Sequence, residues 1–280
     1  MAETLLRRRS LGDVVLVGAV AAALPGCTVV TEERCRPVVE RLGGVARSRP
    51  WTELRAVDGP VVDLQRDLQT LTAHPRARRV RKHSARRALS LLGLAVSRPA
   101  VVASYGRAAG VAPLPPPWIE GVEGGETLAL VPGASTSLKR WAPHRLAAVG
   151  RAWPGEVVVV GGPGEEALVG EVVAGVPCAR GVVEEGFART LDALGRCSVV
   201  VGGDTGLVHL AAACGARPVV VFGPTHPRDG YFAYAGGSDV QLELACRPCT
   251  RHRATRCRTG HHGCVDVDVR SVVEAVRGER

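Results

Sequence analysis

The sequence predicts an α/β protein with parallel sheets, and three observations support this prediction. Short valine-rich runs alternate along the chain with longer segments of helical pattern. Such alternation is typical of βαβ units, whose strands are buried on both faces. Hydrophobic residues make up 46% of the chain and aromatic residues only 4%, so Val, Leu and Ala must fill the core. The 280 residues are enough for two domains of ordinary size.

Each half of the chain shows the alternating pattern. In the first half we predict strands over residues 5–9, 27–31, 57–64 and 100–104, and helices over 14–24 and 85–94. In the second half we predict strands over 128–131, 157–160, 198–201 and 218–222, and helices over 143–152, 165–173, 205–214 and 269–276. The pattern therefore restarts after the middle of the chain.

Residues 111–118 separate the two halves and read VAPLPPPW. Three consecutive prolines cannot continue a helix or a central strand, so this segment is a stiff connector. We place the domain boundary there. The predicted domains are an N-terminal Rossmann-like domain over 1–117 and a C-terminal one over 118–280.

The most informative segment is 199–227, VVVGGDTGLVHLAAACGARPVVVFGPTHP. A buried strand leads into a glycine pair, and Asp204-Thr205-Gly206 then opens a short helix. Glycine lets the backbone approach a ligand, and a helix N-terminus offers unpaired N–H groups. Thr205 and His209 share one helix face, directed toward that end. The pattern predicts a diphosphate site; the alternative is that Asp204 caps the helix and His209 lies in the core.

This segment closely resembles glycosyltransferase family 9, the family of bacterial ADP-heptose:lipopolysaccharide heptosyltransferases. DTGLVHLAAACG and FGPT are its most specific pieces. Weaker matches follow in the family's order. They are residues 10–24, Asp63-Leu64-Gln65, Pro132-Gly133-Ala134-Ser135, Lys139-Arg140-Trp141, and Gly161-Gly162-Pro163-Gly164-Glu165.

The resemblance implies a GT-B fold, with two Rossmann-like domains facing across a cleft. It also implies inverting transfer of a sugar, typically heptose from ADP-heptose, onto a lipopolysaccharide-type or other cell-envelope glycan, with no cofactor required. The family's general base corresponds to Asp13 and its phosphate-contacting lysine to Lys139. The implied donor-binding residues are Ser135, Asp204, Thr205, Gly206, Leu207 and His209, with Glu165 or Glu166 on the ribose.

The chemistry of inverting glycosyl transfer requires the same kinds of group, independently of the resemblance. Inverting transfer needs a carboxylate to take the acceptor proton and positive charge around the departing diphosphate. Without the resemblance, Asp13 reads as a helix cap and Lys139 as a surface lysine.

Alternative functions predict different sequence features. A nicotinamide or flavin enzyme should show G-x-G-x-x-G after the first strand, and Ser10-Leu11-Gly12-Asp13 lacks it. A non-catalytic or divergent nucleotide-sugar-binding GT-B protein, or a nucleotide-sugar 2-epimerase, remains the alternative. The presence of Asp13 argues against the non-catalytic protein.

Four cysteines cluster near the end of the chain: Cys246, Cys249, Cys257 and Cys264. Four thiolates could hold a structural Zn²⁺, but the last two spacings match no common zinc ribbon. Similar cysteine-rich stretches occur in many members of the family. The alternative is reduced cysteines that shape a loop, and we favour it.

The net charge is +9, and residues 74–87 are rich in Lys and Arg without an acid. Such a block is suited to an anionic glycolipid acceptor or a membrane surface; the alternative is a solvated helix face. Interleaved aromatics are missing, so no nucleic-acid partner is expected. The chain is shorter than this family usually runs, which leaves the acceptor open.

Two interpretations of the N-terminus are possible. Arg7 to Arg9 and the apolar residues 14–24, followed by Cys27, imitate a secretory signal. A strand, a turn at Asp13 and a helix explain the same residues. We therefore expect a cytoplasmic protein, or one at the cytoplasmic face of the inner membrane.

Overall fold

The computed structural model describes residues 2–83, 85, 89, 99–184, 186–231, 236–249 and 255–278. The chain divides into two compact units, one over Met1–Lys82 and Pro99–Gly121 and a second that includes Val122–Arg280. Each unit contains one parallel sheet with helices. The domain boundary after residue 117 remains a prediction.

The first unit has a five-stranded sheet in the order β3-β2-β1-β4-β5, and all described pairings are parallel. Its strands are β1 (Thr4–Leu6), β2 (Cys27–Thr31), β3 (Val45–Pro50), β4 (Val61–Asp63) and β5 (Arg78–Arg79). Its helices are α1 (Leu11–Ala23), α2 (Arg36–Val39), α3 (Leu68–Ala73) and α4 (Val101–Ala109). Helix α1 is apolar on nearly every side and is buried from Val14 to Ala21, as such a helix must be.

The second unit has a six-stranded parallel sheet in the order β11-β10-β9-β6-β7-β8. Its strands are β6 (Thr127–Val131), β7 (Val157–Gly161), β8 (Arg180–Val183), β9 (Cys197–Gly203), β10 (Arg217–Phe222) and β11 (Ser238–Gln241). Its helices are α5 (Pro143–Arg151), α6 (Glu166–Ala174), α7 (Ala188–Leu194), α8 (Gly206–Ala213) and α9 (Val269–Arg277).

The core of the second unit is built mainly from valine and leucine, as the scarcity of aromatics predicts. Trp141 is the exception, since it is the largest fully buried side chain. Its indole N–H donates to the carbonyl of Val267, 3.2 Å away. That bond satisfies the buried donor and fixes the segment before α9 to the loop after β6.

Three predicted strands of the first unit need correction. The strand predicted over 5–9 ends at Leu6, and Arg7 to Arg9 lie in the loop before α1. Residues 100–104 begin helix α4 instead of forming a strand, because apolar residues fall on one helical face and Gly110 ends the helix with a left-handed φ of 72°. The strand predicted over 57–64 is confined to Val61–Asp63, after an Asp-Gly-Pro turn. The helix predicted over 85–94 lies outside the described residues except for positions 85 and 89.

Candidate functional site

The loops after strands of the second sheet carry the residues predicted to bind the donor. Because all strands are parallel, the loops after β6, β7, β9 and β10 leave the same edge of the sheet. Ser135 and Lys139 lie after β6, Glu165 and Glu166 after β7, and the segment from Asp204 to His209 after β9. The structure therefore brings the predicted donor-binding loops to one edge.

Lys139 and Asp204 form a buried ion pair at this edge. Nζ of Lys139 lies 2.7 Å from Oδ2 of Asp204, and the two side chains are 6% and 8% exposed. Thr225, in the turn after β10, donates its hydroxyl to the same oxygen over 3.0 Å. Asp204 is therefore a buried partner of Lys139, and Thr205 occupies the N-cap position of α8.

The glycine pair before Asp204 is explained by close backbone packing. A Cβ on Gly203 would lie 2.5 Å from the carbonyl oxygen of Lys139, and one on Gly202 would lie 2.8 Å from Val208. Both positions thus require glycine whether or not a ligand is bound. The expectation that the pair serves ligand approach stays a prediction.

The N-terminus of α8 presents polar groups beside the ion pair. The first helical bond runs from the His209 amide to the Thr205 carbonyl over 3.4 Å, so the amides of Gly206, Leu207 and Val208 have no intrahelical acceptor. Thr205 does not cap the helix with its side chain. Thr205, Gly206 and His209 are all partly exposed, so this end can meet a solute.

Glu165 and Glu166 have different surroundings. Glu165 accepts a bond from the Gly162 amide over 2.8 Å, and its carboxylate fills the space that a Cβ on Gly133 would need. Glu166 accepts from the Gly164 amide over 3.1 Å. Backbone hydrogen bonds lower the pKa of Glu166, which is exposed. Glu165 is thus directed toward the loop that carries Ser135, which is itself exposed.

Arg247 is a buried residue of this edge that sequence reasoning missed. Its guanidinium donates to the carbonyl oxygen of Gly223 over 2.6 Å and to that of Thr225 over 2.8 Å. It therefore contacts the Gly-Pro-Thr turn from which Thr225 reaches Asp204. The sequence around Arg247 did not indicate a role in the site, because a local pattern does not distinguish a buried arginine from an exposed one.

Asp13 lies at the carboxyl edge of the first sheet, in the first turn of α1. It forms an ion pair with Arg7, which follows β1, and the hydroxyl of Tyr105 on α4 donates to its Oδ1 over 3.3 Å. Arg7 also donates to the Leu64 carbonyl over 3.0 Å. The carboxylate is 13% exposed, so it is oriented by two partners while remaining accessible. Sequence reasoning had named neither partner.

The four C-terminal cysteines do not fit a preformed metal site. No three His, Cys, Asp or Glu side chains among the described residues are arranged to hold a metal ion. Burial raises the pKa of the Cys264 thiol to about 11 and also raises that of Cys249. In contrast, the Thr259 hydroxyl lowers the pKa of Cys257 to about 7. The neighbouring cysteines also raise the pKa values of Cys249 and Cys264, so the four thiols lie near one another.

Of the basic segment 74–87, the structure describes residues 74–83 and 85, and the others lie outside the described residues. Arg66, Arg76 and Lys82 are exposed around α3, which itself exposes Leu68 and Leu71. In the part of the chain that the structure covers, no helix combines the length and apolar character needed to cross a bilayer.

Comparison with known proteins adds three findings. The model of a family described as glycosyltransferase family 9 (heptosyltransferase) matches residues 109–261. Lipooligosaccharide heptosyltransferase 2 of Campylobacter jejuni is 27% identical over 165 residues, which cover 55% of this chain and 51% of that protein. The chain thus spans about half the length of this curated relative.

Solved structures share the fold. The glycosyl transferase family 9 protein from Veillonella parvula superposes with a TM-score of 0.74 at 16% identity, over 99% of this chain and 96% of that one. Escherichia coli ADP-heptose lps heptosyltransferase II also gives a TM-score of 0.74, at 18% identity over 99% and 98% of the two chains. These likenesses confirm the predicted α/β fold of the GT-B type.

Proposed function

Because the chain belongs to glycosyltransferase family 9, we propose that it is an inverting glycosyltransferase that moves heptose from ADP-heptose onto a cell-envelope glycan of the lipopolysaccharide type. The observation that supports this function best is the group of Lys139, Asp204 and Thr225 beside the N-terminus of α8. A buried cation next to helix amides that have no intrahelical acceptor is suited to bind a diphosphate.

In the proposed reaction the second unit holds the donor. Lys139, the first amides of α8 and His209 would share the negative charge that develops as the bond between the anomeric carbon and the diphosphate oxygen breaks. Thr205 would donate its hydroxyl to a phosphate oxygen. Glu165 is our choice for the ribose contact, since it is directed toward the loop after β6 whereas Glu166 is exposed.

The first unit would supply the base. The acceptor hydroxyl attacks the anomeric carbon, and its proton passes to a carboxylate oxygen of Asp13. Arg7 and Tyr105 hold that carboxylate in a fixed orientation, which general-base catalysis requires. All of the positive charge in this proposal comes from the chain, so we propose that transfer requires no cofactor.

We further propose that the acceptor is an anionic glycolipid, met at the cytoplasmic face of the inner membrane. Helix α3 exposes Leu68 (75%) and Leu71 (41%), which lie one turn apart on one face. Lys82 donates to the carbonyl of Arg66 over 2.5 Å, so exposed cations lie near these leucines. Exposed apolar side chains with cations nearby are suited to an anionic bilayer surface.

Vesicle binding tests this surface. Wild type should sediment with phosphatidylglycerol vesicles more than with phosphatidylcholine vesicles, and Leu68→Ser with Arg76→Glu should abolish the difference. Equal binding by wild type and variant would remove the membrane from the proposal.

Nucleotide binding and turnover test the enzymatic function. We expect purified protein to bind ADP more tightly than UDP, GDP or dTDP in calorimetry, and to release ADP from ADP-heptose when an extract of cell-envelope glycolipid is added. Binding without turnover by any acceptor would favour a nucleotide-sugar-binding protein without transferase activity. If none of the four nucleotides binds, the proposed donor site is wrong.

A further inference from the structure

Arg247 is a buried cation that the proposed chemistry does not use. Its residue exposure is 7%, and it forms no ion pair with any residue that the structure describes. Burial lowers the pKa of its guanidinium, since a charge away from water is unfavourable. An apolar side chain of similar size would fill the same space at lower cost. The hydrogen bonds of Arg247 must therefore explain why a charged side chain is buried at this position.

All three guanidinium nitrogens of Arg247 have acceptors, and these lie at the carboxyl ends of β10 and β11. Nε donates to the Gly223 carbonyl over 2.6 Å. Nη2 donates to the carbonyls of Phe222 and Thr225 over 3.1 and 2.8 Å and to the Gln241 side chain over 3.2 Å, and Nη1 donates to the Leu242 carbonyl. One side chain thus holds both strand ends and the turn between them.

A continuous series of contacts leads from Arg247 to the ion pair. The guanidinium fixes the main chain of Thr225, and the Thr225 hydroxyl donates to Asp204 over 3.0 Å. Asp204 in turn lies 2.7 Å from Lys139. The Cys249 amide adds a bond to the Pro224 carbonyl over 3.2 Å. The cysteine-rich segment is therefore attached directly to the turn that supports the ion pair.

The contacts of Arg247 also control the carbonyl groups of that turn. Carbonyl oxygens repel an anionic ligand, and those of Phe222, Gly223 and Thr225 are engaged by the guanidinium. Without Arg247 these oxygens would need other donors, and the turn could present them to the diphosphate.

We propose that Arg247 is a positioning residue of the donor site, which holds the Thr225 turn and through it the Asp204–Lys139 pair. This inference rests on the proposed nucleoside-diphosphate site. The cysteine-rich segment, residues 246–264, would then have a structural role, because it carries the arginine that fixes the donor loops.

Arg247→Lys is the test variant, because lysine keeps the charge but cannot reach acceptors in so many directions. Arg217→Lys is a matched control. Arg217 lies at the opposite end of β10 and donates to the carbonyls of Ala275 (2.8 Å) and Val276. Both variants should lose thermal stability, but only the first touches the donor edge.

We expect Arg247→Lys to weaken ADP binding by about tenfold or more in calorimetry, as the loss of charged hydrogen bonds implies, while Arg217→Lys stays within about twofold of wild type. The melting temperatures of both variants should fall by a similar amount. Unchanged ADP affinity in folded Arg247→Lys would overturn the proposal, since a purely structural arginine would behave in that way.

Thr225→Val provides a second test that leaves Arg247 in place. It removes the bond to Asp204 but keeps the Thr225 carbonyl, so the same loss of ADP affinity is expected even if Arg247→Lys fails to fold. In the double variant the two losses should not add, because both break one series of contacts. Full ADP affinity in Thr225→Val, or simple additivity, would refute the positioning role. If wild type binds no nucleoside diphosphate, the failure lies with the proposed donor site instead.

Discussion

The ammonium group of Lys139 and the carboxylate of Asp204 lie 2.7 Å apart, and both side chains are almost fully buried. Removing one partner of such a pair leaves an uncompensated charge away from water. A bound diphosphate would give Lys139 a second anionic partner while the lysine stays paired with Asp204. Loss of either partner should therefore destabilise the free protein, and we propose that Lys139 also binds the diphosphate in the complex.

Lys139→Met should therefore destabilise the fold by about 3–5 kcal/mol in urea unfolding, because Asp204 loses its counter-charge. The double variant Lys139→Met with Asp204→Asn should recover most of that loss. Neither variant should bind ADP. Recovery of ADP binding in the double variant would show that Lys139 acts only on the fold.

Asp13→Asn should leave ADP affinity within about twofold of wild type while turnover falls by about two orders of magnitude or more. The amide keeps the shape of the side chain but cannot accept the acceptor proton. Single-turnover kinetics with ADP-heptose would measure this. An unchanged rate would remove Asp13 from the mechanism.

Tyr105→Phe tests whether the orientation of Asp13 matters. Its hydroxyl bond to Asp13 is 3.3 Å long, so its loss should lower the turnover rate by about three- to tenfold and leave ADP affinity unchanged. Ser104→Ala is the matched control, since that hydroxyl on the same helix donates to the Ala100 carbonyl over 3.3 Å and accepts from Arg107 over 3.2 Å, and neither partner is Asp13. Equal turnover rates in Tyr105→Phe and Ser104→Ala would mean that Asp13 keeps its orientation without the Tyr105 hydroxyl.

The two glutamates after β7 show what the sequence could and could not predict. Strand ends and helix starts follow from local patterns, so the loops that carry Glu165 and Glu166 were correctly placed at one sheet edge. Which carboxylate turns inward depends on the space left by Gly133, on a different strand's loop. Arg247 and Tyr105 were missed for the same reason, because their contacts join residues distant in sequence.

Glu165→Ala should weaken ADP binding by about tenfold, whereas Glu166→Ala should change it by less than about twofold, since only Glu165 is directed toward the loop after β6. Inorganic pyrophosphate, which has no ribose, is the control ligand, and its affinity should be unchanged in both variants. A parallel loss of pyrophosphate affinity in Glu165→Ala would indicate that the residue only shapes the loop.

The cysteine-rich segment gives a pH-dependent prediction. Cys257 has a pKa lowered to about 7, whereas burial raises the pKa of Cys264 to about 11 and that of Cys197 to about 12. The thiolate is the form that reacts. Alkylation of Cys257 by iodoacetamide should therefore be slow below pH 7, rise as the pH passes about 7 and level off above it. Mass spectrometry of peptides should find Cys264 and Cys197 unmodified in the folded protein.

Added Zn²⁺ distinguishes a loop of reduced thiols from a metal site in the same experiment. No three of the described side chains are arranged to hold a metal ion, so Zn²⁺ at equimolar concentration should not slow the alkylation of Cys257. If Zn²⁺ protects Cys257 together with Cys246 and Cys249, the segment must rearrange around the ion, since coordination requires all bound sulfurs to be thiolates. Protection that disappears with EDTA, accompanied by a metal content of one per chain, would establish the zinc site that the described geometry does not support.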